Sequence, residues 1–326
     1  MKILFTGGSS FTGYWFIKEL ASAGHHVVAV FRRRLEDYPD ELRRHRIQAL
    51  TNLCRPVFGV SFGDDEFLGL IKEGSWDLFC NHAAELADYR SPDFNVAAAV
   101  QNNTHQLPLV LNFLNASGCT RITVTGSVFE NDEGAGSRDL RAFSPYGLSK
   151  SLTWQVFRYH AQLRQMRLGK FVIANPFGPF EAPRFTHYLV TSWFAQETAI
   201  VNTPAYVRDN MHVSLLARIY ARFSTTLTEG ISRINPSGYV ESQGAFTQRF
   251  AGEIGPRLGL RCPYELKHQF DFPEPRIRIN TDTVDDKALG WNETRAWDEL
   301  AYYYAQSMKG PDANLVDDLT SNRSPG

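Results

Sequence analysis

The sequence predicts an α/β protein built on a doubly wound parallel sheet, followed by a smaller C-terminal domain. Three observations carry this expectation. A short apolar run, Ile3-Leu4-Phe5, stops at Thr6-Gly7-Gly8 and gives way to a helical stretch from Tyr14 to Leu20. Gly24 closes that helix, and a second apolar run, His26 to Phe31, completes a strand–helix–strand unit. Further strand-like runs follow at Asp77 to Cys80 and Arg121 to Thr125, with helical stretches between them. Parallel neighbours need crossover connections of this length, so the alternation defines the class.

The 326 residues suffice for one large or two coupled domains with a real core. With 43% hydrophobic and 21% charged residues the composition is that of an ordinary globular protein. A formal charge of −1 creates no whole-chain field, so nucleic acid is not an expected partner and any anion site is local. No apolar run approaches the ~20 residues of a membrane helix, and the apolar start breaks at Gly7, so a cytoplasmic location without membrane contact is expected. Cys54, Cys80, Cys119 and Cys262 show no C-x-x-C pair and no zinc spacing with His. They read as free thiols, and no metal is expected.

The first strand ends in a glycine turn. Gly7 and Gly13 occupy the outer places of T-G-x-x-G-x-x-G, while Ser10 holds the middle place. Glycines let the backbone approach a pyrophosphate, and the N-terminus of the next helix faces the anion, so the expected ligand is a dinucleotide. At the end of the second strand a carboxylate would bind the adenosine ribose hydroxyls, but the residues are Phe31, Arg32, Arg33 and Arg34. Guanidinium groups suit a 2′-phosphate, so NADP(H) is favoured and NAD(H) stays possible. The competing reading is a solvated charge run continuing to Arg43, Arg44 and Arg46. Asp64 could place a carboxylate near the adenine edge, and Asn81-His82-Ala83-Ala84 ends a strand with residues small enough for close approach to a nicotinamide ribose. Asn103, in a helix expected around Val96 to Asn115, reads as a helix start or a polar link to the catalytic region.

Ser127, at the end of the strand from Arg121, projects toward the same crevice. Ser144 and Pro145 form a helix start, and Tyr146 and Lys150 share one face of that helix. A nearby ammonium is expected to lower the tyrosine pKa toward the range of a general acid or base. A surface Tyr/Lys pair is the bland alternative.

The glycine turn, Ser127 and Y-x-x-x-K, in this order and spacing, resemble the extended short-chain dehydrogenase/reductases, in particular their nucleotide-sugar epimerase, dehydratase and reductase group. The resemblance implies a Rossmann-type fold in which Tyr146 is the acid/base, Lys150 orients the nicotinamide ribose and Ser127 holds the reacting oxygen. It places Gly7, Ser10, Phe11 and Gly13 at the pyrophosphate. Asn175-Pro176-Phe177-Gly178-Pro179 is similar to the family's N-x-[YF]-G-P segment, which puts Asn175 on the sugar nucleotide and Phe177 in the loop over the nicotinamide. Arg208-Asp209-Asn210-Met211-His212-Val213 resembles R-D-[FWN]-x-[HD]-V, which puts Arg208 on the substrate pyrophosphate. A nucleotide-diphosphate sugar is therefore the implied substrate, and a homodimer the implied assembly.

Domain limits follow: 1–174, with a return segment about 208–233, for the dinucleotide; 175–207 and 234–308 for the substrate; 309–326 as a disordered tail. Dehydratases of the group carry an Asp-Glu pair after the Ser or Thr, whereas Val128-Phe129 follows Ser127, so dehydration is disfavoured. The arginines place an NADP(H)-dependent 4-keto reductase of a deoxysugar slightly ahead of an NAD-dependent 4-epimerase. A non-catalytic cofactor-binding or redox-sensing protein is the alternative from another class.

Overall fold

The structure, a computed structural model, describes residues 1–86, 89–228 and 230–308. The expected tail, 309–326, lies outside the described residues. In chain order the first half contains β1 (Lys2–Thr6), α1 (Phe11–Ser22), β2 (His26–Phe31), α2 (Glu41–Leu50), β3 (Arg55–Phe58), α3 (Asp65–Glu73), β4 (Leu78–Asn81), α4 (Val96–Asn103), α5 (Leu107–Ala116) and β5 (Arg121–Ser127). The short β6 (Ala135–Gly136), α6 (Pro145–Leu163), β7 (Arg167–Ile173), β8 (Asn175–Phe177), α7 (Phe185–Phe194), β9 (Ala199–Val201) and β10 (Val207–His212) come next. The chain closes with α8 (Val213–Thr225), β11 (Ile231–Ile234), β12 (Tyr239–Ser242), α9 (Gln243–Leu258), β13 (Tyr264–Leu266), β14 (Ile277–Ile279) and α10 (Glu293–Ser307).

Seven parallel strands form the central sheet in the order β11-β7-β5-β4-β1-β2-β3, the expected doubly wound arrangement. Its strands are apolar on both faces because helices cover both. Ile3, Phe5, Val27 and Ala29 pack against α1, α2 and α8, whereas Leu4, Val28, Phe79, Ile122 and Val124 pack against α3, α5 and α6. A second sheet runs β12-β10-β14-β6, with β8 paired to β10, and a two-stranded β13-β9 ladder lies beside it. Phe177, Trp193, Phe246, Phe250 and Trp297 form the core beneath this smaller part. Within the return segment, α8 and β11 rejoin the large sheet, while β10 belongs to the second.

One expectation changes. The helix expected around Val96 to Asn115 is two helices, because Gln106 adopts a left-handed conformation (φ 49°) and Pro108 in the first turn of α5 has no N–H to continue a ladder. All four cysteines are free, with Cys80 and Cys119 buried. Among the described residues no helix is long and apolar enough to cross a membrane, and no cluster of His, Cys, Asp and Glu could hold a metal.

Candidate active site

The strand order reverses between β1 and β4, and a cleft of about 1810 Å³ lies over the carboxyl ends there. The turn after β1 accepts only glycine at its two outer places. Gly7 has φ +86°, and a Cβ on it would stand 2.6 Å from the Ala83 nitrogen. A Cβ on Gly13 would stand 2.2 Å from the Gly7 carbonyl oxygen. Ser10 is the N-cap of α1, its Oγ accepting the Gly13 N–H at 3.0 Å. Gly7, Ser10 and Phe11 line the cleft; Gly13 is not among the lining residues and packs on the carbonyl of Gly7. A glycine-only cradle at the N-terminus of a twelve-residue helix fits a dinucleotide pyrophosphate.

Arg32, Arg33 and Arg43 all line the cleft. Arg32 is not alone there, since its Nη1 lies 3.6 Å from a carboxylate oxygen of Glu85. Asp64 also lines the cleft, but its carboxylate caps α3: one oxygen accepts the Phe67 N–H at 2.8 Å and the other the Ser61 N–H at 2.7 Å. Asn81 accepts the Thr6 hydroxyl at 2.8 Å, and the Ala83 N–H reaches the same hydroxyl oxygen at 3.3 Å, which fixes the β4 end against the glycine turn. Asn103 is the polar link, not the helix start. It ends α4, accepts the Glu85 N–H at 2.8 Å and donates to Thr153 of α6 at 3.2 Å.

Ser127, Tyr146 and Lys150 all face this cleft. Ser144 caps α6 by accepting the Gly147 N–H at 3.1 Å, which starts the helix that presents the other two. Burial, above all, pushes the Tyr146 phenol above its usual range, and the Glu130 charge adds to the rise. The lowered phenol expected from Lys150 is thus corrected: desolvation dominates, and the charge that opposes it is that of Arg184. Burial brings Lys150 itself down to about 8, with Glu130 opposing and Lys170 assisting. Ser127 Oγ accepts the Phe129 N–H at 3.2 Å.

Sequence reasoning missed what lies behind these groups. Glu130 accepts the Ser127 N–H at 2.7 Å with one carboxylate oxygen and Lys170 Nζ at 2.5 Å with the other. Lys170 also meets Glu133 at 2.6 Å, and all three residues are buried. Arg278 of β14 donates to the carbonyls of Val128 and Glu130, fastening the second sheet to this loop. The available signal was Lys170 itself, a cation in the apolar strand Leu168-Gly169-Lys170-Phe171-Val172 that demands a buried counter-charge.

A second pocket of about 680 Å³ adjoins the cleft, and Asn175, Pro176, Arg184 and Phe185 line both. Phe177 lines only the second pocket, its ring held among His212, Phe246 and Trp297, so it is not among the residues lining the larger cleft. Arg208 lines the second pocket as well. Its guanidinium is already engaged by Glu274 at 3.0 Å and by the carbonyls of Val207, Pro275 and Arg276.

Fold and site together define an enzyme of the short-chain dehydrogenase/reductase type. The chain belongs to the NAD-dependent epimerase/dehydratase family, whose profile matches residues 3–235. No curated relative matches the sequence. Among solved structures it is similar to MoeE5 in complex with UDP-glucose and NAD (20% identity, TM-score 0.69, covering 94% of this chain and 100% of that one). It is also similar to UDP-glucose 4-epimerase from Thermotoga maritima with UDP-glucose (17% identity, TM-score 0.70, 94% and 100% covered). A third is DesIV, the dTDP-glucose 4,6-dehydratase of Streptomyces venezuelae with NAD and TYD bound (17% identity, TM-score 0.68, 95% and 98% covered).

Proposed function

We propose that the protein is a nucleotide-sugar oxidoreductase that moves hydride at sugar C4, in the manner of an NAD(H)-dependent 4-epimerase. The reading rests on one observation: Tyr146 and Lys150 stand on the cleft that the Gly7 turn opens, and that cleft runs past Asn175 and Pro176 into a second pocket. A dinucleotide would lie along Gly7, Ser10, Phe11, Asn81 and Ala83, and a nucleotide-diphosphate sugar in the second pocket beside Asn175, Arg184 and Arg208. Bound there, the dinucleotide supplies a hydride acceptor and donor. Tyr146 exchanges the proton of the sugar hydroxyl, the Lys150 ammonium stabilises the phenolate, and Ser127 holds the reacting oxygen.

The cofactor reading shifts from NADP(H) toward NAD(H) for a physical reason. Glu85 places a carboxylate beside Arg32, which offsets the attraction of that guanidinium for a 2′-phosphate and adds repulsion of its own. The NAD in MoeE5 and in DesIV supports the same choice. A second reading, NADPH-dependent 4-keto reduction, is favoured by Arg33 and Arg43, which also line the cleft.

A homodimer through α6 accompanies either reading. That helix leaves Leu148, Leu152, Tyr159 and Leu163 at 39%, 42%, 61% and 64% exposure, an apolar area in need of a partner.

Mass spectrometry of the dinucleotide that copurifies, followed by incubation with UDP- and dTDP-hexoses, tests the reading. Retained NAD and inversion at C4 without added cofactor are expected. Stoichiometric NADPH consumption on a 4-keto sugar would select the reductase instead. Dinucleotide binding with no turnover on any nucleotide sugar would leave a cofactor-binding or sensing protein.

A further inference from the structure

Ser10 is where the turn departs from T-G-x-x-G-x-x-G, and the departure has a buried partner. Ser10 Oγ, besides capping α1, lies 3.0 Å from Nε2 of His82, and Thr12 Oγ1 lies 3.0 Å from the same nitrogen. Across the ring, His82 Nδ1 is 2.8 Å from Thr125 Oγ1. The imidazole therefore joins the glycine turn, the end of β4 and the end of β5. Its ring packs edge-on against Phe16, with centroids 5.1 Å apart, and at a tilt against Phe5 at 5.9 Å.

Burial, with the Lys150 charge adding to it, holds His82 down to about 3, so the ring is neutral throughout the ordinary pH range. A neutral imidazole offers one donor and one acceptor, so the hydroxyl orientation on one side fixes what the other side can do. A glycine at position 10 has no side chain with which to enter such a link.

We propose that His82 is a positioning residue of the dinucleotide site, tying the anion-binding end of α1 through Ser10 and Thr12 to Thr125 on the catalytic side of the cleft. The two halves of the cleft then hold one relative position, and contact at the pyrophosphate turn is felt at β5. This rests on the reading of the cleft as a dinucleotide site.

Fluorescence titration with NADH and with NADPH tests the link in wild type, His82→Phe, Thr125→Val and the double variant. Phenylalanine keeps an aromatic ring against Phe5 and Phe16 and removes both nitrogens. His82→Phe is expected to weaken the preferred dinucleotide about tenfold, the scale of one buried hydrogen bond. Thr125→Val is expected to weaken it about threefold alone and to add nothing in the His82→Phe background, the signature of coupling. Unchanged affinity in His82→Phe, or an equal cost of Thr125→Val in both backgrounds, would overturn the proposal. Wild-type protein that binds neither dinucleotide removes the cleft reading itself, and the link with it. Should His82→Phe not fold, wild-type protein labelled with ¹⁵N-histidine decides. Dinucleotide must move the His82 ring resonances, and ring signals that stay in place overturn the link.

Discussion

Arg46 gives two hydrogen bonds to a single acceptor, the carbonyl oxygen of Phe180, from Nε at 2.9 Å and from Nη2 at 2.6 Å. Phe180 is in the left-handed region, with φ +67°, a strained place for a bulky side chain. Beside it, Trp15 donates to the Pro179 carbonyl at 2.9 Å. Helices α1 and α2 thereby pin the loop that follows β8, whose first residues line both pockets. Arg46→Met leaves a buried carbonyl without its charged donors and is expected to cost about 2 to 3 kcal/mol in urea unfolding. Arg46→Lys should recover part of that. Equal stability of wild type and Arg46→Met would show that the loop is held by the Trp15 bond and ring packing alone.

Tyr146→Phe removes one oxygen from the cleft. Turnover on the nucleotide sugar is expected to fall by about 10²- to 10⁴-fold, the usual worth of a general acid/base. Dinucleotide affinity, measured by titration, should stay within about twofold, because the variant keeps the ring and removes no glycine-turn contact.

Glu181 lines the second pocket, and burial holds its carboxyl up to about 7 from an ordinary 4.5. The folded chain keeps this proton between those values, where the unfolded chain has released it. The carboxyl therefore favours folding most strongly below 4.5, and that contribution is lost as pH rises toward 7. Glu181→Gln cannot ionise. Urea midpoints taken at about pH 5 and about pH 7.5 should show wild type losing ground to the variant at the higher value. A constant difference between the two proteins would contradict the raised carboxyl.

Leu152→Glu places a charge in the middle of the exposed α6 stripe. Light scattering is expected to find wild-type dimer and variant monomer, with the thermal midpoint lowered to the extent that assembly stabilises the fold. A wild-type monomer would remove the proposed dimer.

The sequence revealed elements wherever a residue type carries its own geometry. Gly7 and Gly13 marked the turn because no other residue fits there, and Ser144-Pro145 marked the start of α6. It was silent where geometry is imposed from elsewhere. Gln106 breaks a helix that its neighbours would continue, and no property of glutamine announces a left-handed backbone. Arg46 read as one cation in a run with Arg43 and Arg44, yet with Ile47 and Leu50 it lies on the buried face of α2. The partners of Lys170 and His82 come from distant segments, so spacing could not pair them. Asn103 did announce a polar link, but its target, Thr153, became visible only once α4 lay against α6.

The buried cluster around Lys170 also bears on how the chain can fold. Glu130 and Glu133 come from the loop after β5, Lys170 from β7, Asn235, which donates to Glu133 at 2.8 Å, from the chain beyond β11, and Arg278 from β14. Two carboxylates leave water at tolerable cost only when their donors are in place; Ser127, Lys170 and Asn235 supply those, while Arg278, outside residues 3–235, binds the backbone carbonyls of the same loop. A chain stopped after β11 would leave the Val128 and Glu130 carbonyls without Arg278, so the second sheet completes the hydrogen bonding of the loop beside Ser127.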